Sequence, residues 1–283
     1  MSKLLFANFA RLRKSKIFWF CTAVMLGLGI FVCLNQYRDK LSGFTVTLDS
    51  VFVLPYIMSG ILLAVFCSLF IGSEYSDGTI RNKLVVGHNR SAIYLANFVV
   101  SAVAGLSMNL IYLAVGFILG IPLLGFFTAD LQLVLIWMLV GALITIAFAA
   151  IYTMLTMLNQ NKALSAIICS IGILAAIVLA SYLYSAINEQ EFIESYQLEV
   201  GSSVSVTVYG TDLKTEMIPN PKYLTGNRRA LVQFLMDFLP SGQMVQMVDM
   251  NMPNLSLLPL YSSIIIITAN IGGVFFFRRK DMK

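Results

Sequence analysis

The ionisable side chains best placed to do chemistry lie in one short segment, residues 73–91, between two long apolar runs. The segment contains Glu74, Asp77, Arg81, Lys83 and His88. His88 is the only histidine of the chain, so it lacks a second imidazole for a metal site, and we expect a surface residue. Charges of both signs without a nucleophile or metal pattern indicate a binding segment.

The same segment predicts a short helix. Asp77-Gly78 is a turn dipeptide, Thr79 is the expected N-cap, and Gly87 is the expected C-terminal stop. The helix between them has about two turns and places Ile80 and Leu84 together as a small apolar edge. This pattern favours docking on a cytoplasmic partner. The alternative is a solvated connection that only sets topology.

Composition indicates that a membrane surrounds these residues. Of the 283 residues, 58% are apolar and only 12% are charged, whereas a soluble domain has about 25% charged residues. Six apolar runs are free of Asp, Glu, Lys, Arg and His, and each is near the length of about 20 residues that crosses a bilayer. They are residues Ile17–Leu34, Val51–Gly72, Ala92–Leu119, Leu131–Leu158, Ala163–Ile187 and Leu257–Phe277. We therefore predict an all-α integral membrane protein, a single transmembrane domain over residues 1–283, with six transmembrane helices. Ser91 is the expected cap of the third.

The distribution of charge predicts the orientation. With the N-terminus inside, 13 of the 19 Lys and Arg residues face the cytoplasm, but only 3 of the 14 acids do. Short loops rich in Lys and Arg remain on the cytoplasmic side. We therefore expect both termini in the cytoplasm. The net charge of +5 then reflects topology, and no nucleic acid partner is expected.

Residues 2–16 predict an amphipathic helix on the membrane surface. At about 100° per residue, one face is apolar and the other basic. The apolar face comprises Leu5, Phe6, Phe9 and Leu12, and the basic face comprises Lys3, Arg11 and Lys14. Such a helix binds membrane lipid at the cytoplasmic interface. The alternative is a plain basic flank of the first span.

The extracellular segment, residues 188–256, is the only sizeable polar part of the chain, and we expect it to form a small α/β insertion between spans 5 and 6. Alternation over 203–208 predicts a hairpin with 213–218, and amphipathic helices are expected over 228–239 and 243–250. Four methionines in the second helix and after it could bind Cu(I), but an adaptable apolar surface is the favoured interpretation. They are Met244, Met247, Met250 and Met252.

The six runs lack the groups that couple transport to an ion gradient. A proton-coupled carrier needs titratable groups near the middle of the bilayer, and none is present there. The chain also has no G-x-x-x-x-G-K-[ST] phosphate loop with which to bind ATP itself. If the protein moves a substrate, another polypeptide is expected to supply the energy.

At residues 74–90 the sequence resembles the membrane subunits of ABC-2 type transporters. Their E-Y-x-x-G-T-x-R pattern after the second span is matched here by Glu74-Tyr75, Gly78-Thr79 and Arg81. The basic ending at 277–283 and the helical pair around Leu239-Pro240 are also similar to this family.

The resemblance implies a non-catalytic permease without a cofactor of its own. It would pair with a second copy or a paralogue and be driven by two separate ATP-binding cassette subunits that hold ATP and Mg²⁺. Residues 79–87 would be the coupling helix, tied to the span ends by Glu74 and Arg81. The residues implied in coupling are Glu74, Tyr75, Gly78, Thr79, Arg81, Lys83 and Leu84. The family's usual role is export of an antimicrobial peptide, a drug or another amphipathic molecule across a bacterial plasma membrane.

Two other classes of function stay open from the residues themselves. An ion-coupled secondary carrier would need internal repeats or polar sites inside the membrane. A receptor or assembly protein would use the 188–256 segment to recognise a ligand and would need no ATPase.

Overall fold

The structure, a computed structural model, describes residues 1–196 and 215–280. It contains six helices that are long and apolar enough to cross a membrane, and they coincide with the six predicted runs. Spans 1 to 6 are Lys16–Leu41, Leu48–Ser76, Arg90–Leu124, Leu131–Leu158, Lys162–Ile187 and Leu258–Arg279. The prediction of an all-α membrane protein with six spans is therefore confirmed.

Shorter elements surround and subdivide the spans. In chain order the elements are α1 (Ser2–Lys14), α2 (Lys16–Leu41), α3 (Leu48–Val53), α4 (Pro55–Ser76), α5 (Thr79–Val85), α6 (Arg90–Val115), a π-helical turn (Gly116–Gly120), α7 (Ile121–Leu124), α8 (Leu131–Leu158), α9 (Lys162–Ile187), β1 (Phe192–Tyr196), β2 (Thr215–Pro219), α10 (Gly226–Phe238), α11 (Pro240–Val248) and α12 (Leu258–Arg279). Span 2 is α3 with α4, and span 3 is α6 with the π-turn and α7. Pro55, Pro122 and Pro259 each lie in the first turn of a helix, where a missing backbone donor costs little.

The bundle has two distinct ends. At one end, α1 and α5 contact the end of α4, and the C-terminal end of α12 contacts the end of α8. We call this the α5 end. The opposite end, called the α10 end, holds α10 and α11. Spans 2, 3 and 4 form the buried centre, whereas only a minority of the residues in spans 1, 5 and 6 are buried.

Close helix packing in the centre depends on glycines that face aromatic rings. A Cβ built on Gly141 would lie 2.1 Å from the Tyr56 ring, and one built on Gly273 would lie 2.0 Å from the Tyr94 hydroxyl. A Cβ on Gly172, by contrast, meets no atom within 4 Å. Small residues therefore permit close approach at the first two positions, while Gly172 faces outward.

The helix caps near α5 differ in part from the prediction. Gly87 ends α5 as expected: it has φ +92, and the next residue, His88, donates its N–H to the Lys83 carbonyl at 3.1 Å. The N-cap is Gly78 at φ +67 rather than Thr79, which is the first helical residue. The N-cap of α6 is Asn89 rather than Ser91. In both cases the helix begins earlier than the side-chain capping preference indicated.

Helix α1 is present as predicted, but the face it presents is rotated. Its buried residues are Leu4, Asn8 and Leu12, whereas Phe6 is 79% exposed. Arg11, which was assigned to the polar outer face, points into the bundle and pairs with Glu74. The apolar pattern alone was misleading because the buried partner of this helix is a carboxylate.

The segment before span 6 forms the predicted helical pair, α10 and α11. The predicted strand at 213–218 corresponds to β2, but its antiparallel partner is β1, with Ile193 opposite Ile218. The predicted strand at 203–208 lies outside the described residues. Met244 and Met247 are fully buried in the core, whereas the favoured interpretation had placed them on an adaptable apolar surface.

Candidate functional site

Glu74 lies in the last turn of α4 and is almost completely buried, with 1% of its surface exposed. Its Oε1 accepts hydrogen bonds from Arg11 of α1 and from Lys83 of α5, the latter at 2.5 Å. Its Oε2 accepts a hydrogen bond from the Asn97 amide of α6 at 2.9 Å. Burying a carboxylate costs several kcal/mol unless it is paired and hydrogen-bonded. Glu74 meets that condition by drawing donors from three other helices.

Asn8 joins Glu74, Asn97 and Lys83 in a closed ring of hydrogen bonds. The Asn8 amide donates to Asn97 Oδ1 at 2.9 Å, and Lys83 Nζ, besides contacting Glu74, donates to Asn8 Oδ1 at 3.0 Å. We call Glu74, Asn97, Asn8 and Lys83 the Glu74 ring. Because its members come from α4, α6, α1 and α5, none of these helices can shift without breaking a buried hydrogen bond.

Arg11 adds a second attachment of α1 to the end of α4. Its guanidinium donates to the Phe70 carbonyl and, at 3.2 Å, to Ser73 Oγ, and it lies 3.9 Å above the Phe70 ring. Burial lowers the pKa of Arg11, an effect that the neighbouring Glu74 carboxylate opposes. A cation against the free carbonyls of a helix C-terminus also interacts favourably with the helix dipole.

A second group of contacts joins the ends of α8 and α12. Lys280 Nζ donates to the Leu158 carbonyl at 2.6 Å, and Tyr75, next to Glu74, donates its hydroxyl to the Met157 carbonyl. Arg90 donates to the Arg278 carbonyl at 3.0 Å. Burial lowers the pKa of Lys280. Four spans and both short helices are thus connected at the α5 end.

The outward face of α5 is the surface that a partner would meet. Ile80 is fully buried and Leu84 is partly buried, so the apolar edge expected to dock on a partner packs into the bundle instead. The exposed apolar residues of this segment are Val85 and Val86, at 81% and 76%. They lie on the opposite side of the helix from Ile80, about 140° and 240° further round.

The predicted site residues are otherwise distributed as follows. Arg81, which the resemblance implied would help to tie the coupling helix to the span ends, is exposed and forms no hydrogen bond or ion pair with the described residues; Lys83 pairs with Glu74 instead. One turn of helix beyond Thr79 brings residue 83, not residue 81, to the same side as the end of α4. Gly78 supplies the left-handed turn that starts α5.

Two residues of the ring, Asn8 and Asn97, were missed by sequence reasoning. Asn97 is a polar residue inside an apolar run, and its complete burial is the kind of signal that marks a specific partner. Asn8 lies in α1 on the same side as Leu4 and Leu12, at a spacing of four residues. A search for polar residues in line with apolar stripes would have found both.

The arrangement ties three other helices to one buried carboxylate, both of whose oxygens are hydrogen-bonded. Across residues 1–196 and 215–280, no three His, Cys, Asp or Glu side chains come together to hold a metal ion.

Comparison with known families assigns the class of protein. The model of the ABC-2 family transporter proteins matches residues 4–176, from α1 into span 5, which is more than half of the chain. No curated protein matches the sequence. The chain belongs to the ABC-2 transporter family and is a multi-pass ABC transporter permease. The segment after residue 176, including α10 and α11, lies beyond the match.

Proposed function

We propose that this chain is the non-catalytic permease subunit of an exporter whose energy comes from separate ATP-binding cassette subunits. Those subunits would dock on the outer face of α5, with Val85 and Val86 as the apolar contact and Arg81 as a polar one. ATP and Mg²⁺ would be held by the ATPase subunits. The observation that supports this proposal is the buried Glu74 carboxylate, which joins α5 to the spans through Lys83 and Asn97.

The Glu74 ring gives the proposal a mechanical route. A partner that moves α5 displaces Lys83, and the displacement reaches span 2 through Glu74 and span 3 through Asn97. Helix α1 follows because Asn8 and Arg11 are bound to the same groups. Interlocked hydrogen bonds of this kind favour movement of the four helices as one body.

The orientation and location belong to the same proposal. With the α5 end in the cytoplasm, the cations of α1, α5 and the end of α12 obey the rule for short basic loops. Both termini then lie in the cytoplasm of a bacterial cell, and residues 188–256 are extracellular. A second permease, identical or related, would complete the transport pathway.

An amphipathic substrate fits the chemistry of the bundle. A cavity of about 310 Å³ between spans 2, 3 and 4 has mainly apolar walls and includes Tyr56, Ser107 and Asn109. The Asn109 oxygen is buried and has no hydrogen-bond partner among the described residues, so a donor on a substrate would satisfy it. Apolar walls with few polar groups are typical of sites for drug-sized or lipophilic molecules.

Co-purification tests the proposal. The tagged chain is purified from its native membranes, the bound proteins are identified by mass spectrometry, and ATP hydrolysis by the preparation is measured. We expect a cassette ATPase to accompany the chain, and the double variant Val85→Asp/Val86→Asp to lose both the ATPase and the hydrolysis. Phe44→Asp is the matched control, because Phe44 is also an exposed apolar residue but lies at the other end of span 1.

Two results would overturn the proposal. One is a purified wild-type chain that transports its substrate after reconstitution without any cassette subunit. The other is a double valine variant that keeps the ATPase bound as well as the Phe44→Asp control does.

A further inference from the structure

A groove of about 730 Å³ opens between spans 3 and 6 near the α5 end. One wall is Leu95 of α6. The other wall belongs to α12 and comprises Asn270, Ile271, Val274, Phe275, Arg278 and Arg279. The groove lies away from the Glu74 ring and from the outward face of α5, so the proposed function does not use it.

The α12 wall is a continuous helical face with two different ends. Ile271, Val274, Phe275, Arg278 and Arg279 follow the spacing i, i+3, i+4, i+7, i+8, which places them on one side of the helix. At 1.5 Å per residue the face is about 12 Å long. Its inner part is apolar, and its terminal turn carries two guanidinium groups.

These guanidinium groups are available to a ligand. Among residues 1–196 and 215–280 neither Arg278 nor Arg279 has a carboxylate or hydrogen-bond acceptor for its side chain. Arg279 lies with its Cζ 4.2 Å above the Phe275 ring, which holds its head beside the apolar wall. The backbone of this turn is fixed separately, because Arg90 donates to the Arg278 carbonyl. The Arg279 head is thus held in place, and no described residue neutralises either cation.

We propose that this groove binds an anionic phospholipid. The phosphodiester would lie between Arg278 and Arg279, and an acyl chain would run along Ile271 and Phe275 against Leu95. Basic pockets between spans on the cytoplasmic side are suited to anionic headgroups, and guanidinium pairs phosphate oxygens with two parallel hydrogen bonds. A zwitterionic lipid would offer the same acyl chain, but its ammonium group would oppose the arginines.

The depth of the groove favours a lipid over a protein partner. The arginines end span 6, at the level where headgroups lie, while the remaining wall is within the span. Ile271 and Phe275 are both exposed, so a chain can enter from the bilayer without any opening of the bundle.

Native mass spectrometry of the purified full chain tests the proposal, with phosphatidylglycerol and phosphatidylcholine of identical acyl chains as probes. We expect phosphatidylglycerol to bind the wild type preferentially, and Arg278→Gln/Arg279→Gln to weaken that binding at least about tenfold. The matched control is Arg13→Gln/Lys16→Gln, which removes two exposed cations from the same end, but none from the groove and none from the basic face of α1. It should keep the preference.

A second variant separates shape from charge. Leu95→Trp keeps both arginines and fills the groove, and it should also lose the bound lipid while eluting as a monodisperse protein. Equal loss in the control pair would show that the lipid follows general surface charge. Unchanged binding in both groove variants, or equal binding of the two lipids by the wild type, would overturn the proposal.

Discussion

The Asn97 side-chain amide donates to Glu74 Oε2 at 2.9 Å, so a polar residue inside span 3 completes the solvation of a buried carboxylate at the end of span 2. Lys83 and Arg11 occupy the other oxygen. The carboxylate is therefore the single group through which α1, α5 and two spans meet. Its removal should affect both the stability of the α5 end and its response to a partner.

Glu74→Gln should destabilise the protein by about 3 kcal/mol. The glutamine side chain keeps one oxygen as the acceptor for Lys83. Its NH2 group, however, points toward the Asn97 NH2 group, so two donors face each other. Unfolding in increasing concentrations of SDS, followed by tryptophan fluorescence, measures the change. A variant as stable as the wild type would show that the buried pairing contributes little.

Arg11→Gln should cost about 2 kcal/mol, because the lost hydrogen bonds involve a charged, largely buried group. Arg13→Gln removes an equal charge from the exposed side of α1 and should change stability by less than about 0.5 kcal/mol. Limited proteolysis near Ser15 reports the release of α1. Equal protease sensitivity of the two variants would contradict the inward orientation of Arg11.

The neighbouring glycines of span 6 make a matched pair. Gly273→Ala would place a Cβ 2.0 Å from the Tyr94 hydroxyl and should cost about 2 kcal/mol through overpacking. Gly272→Ala meets no atom within 4 Å and should cost nothing. The melting temperatures of the two variants, measured in the same detergent, test this difference in stability. A Gly272 variant that melts lower than the Gly273 variant would reverse the assigned face of α12.

Cysteine labelling in cells tests the proposed orientation. The four native cysteines are buried, so single cysteines introduced at exposed positions give a clear signal once the native ones are replaced by serine or alanine. Ser42→Cys and Asn227→Cys should react with a membrane-impermeant maleimide in intact cells, whereas Asp77→Cys should react only after permeabilisation. Labelling of position 77 from outside would invert the topology.

The architecture was predictable because its causes are local. Apolar length defines each span, so the six helices agree with the six runs to within a few residues at most ends. Span 1 extends to Leu41, two turns past the predicted end, because helix propensity continues after the apolar residues stop. The last turns of that helix contain charged residues of both signs, so a search for apolar runs does not detect them.

The site was predictable only in outline because its details depend on which helices meet. The E-Y-x-x-G-T-x-R pattern singled out Glu74, but it did not reveal that residue 83 rather than residue 81 faces the carboxylate. The rotated face of α1 has the same origin. Arg11 is drawn inward by a partner that lies 63 positions further along the chain, a relationship that periodicity within α1 does not contain.

The most direct measurement of the central claim is photo-crosslinking from the outward face of α5. A photoreactive phenylalanine analogue at Val85 is irradiated in native membranes, and the crosslinked protein is identified by mass spectrometry, with the analogue at Phe44 as the control position. We expect a crosslink from position 85, and not from position 44, to a protein that contains an ATP-binding cassette. The proposed docking on α5 would be contradicted if position 85 yielded no crosslink, or yielded only proteins that lack a nucleotide-binding domain.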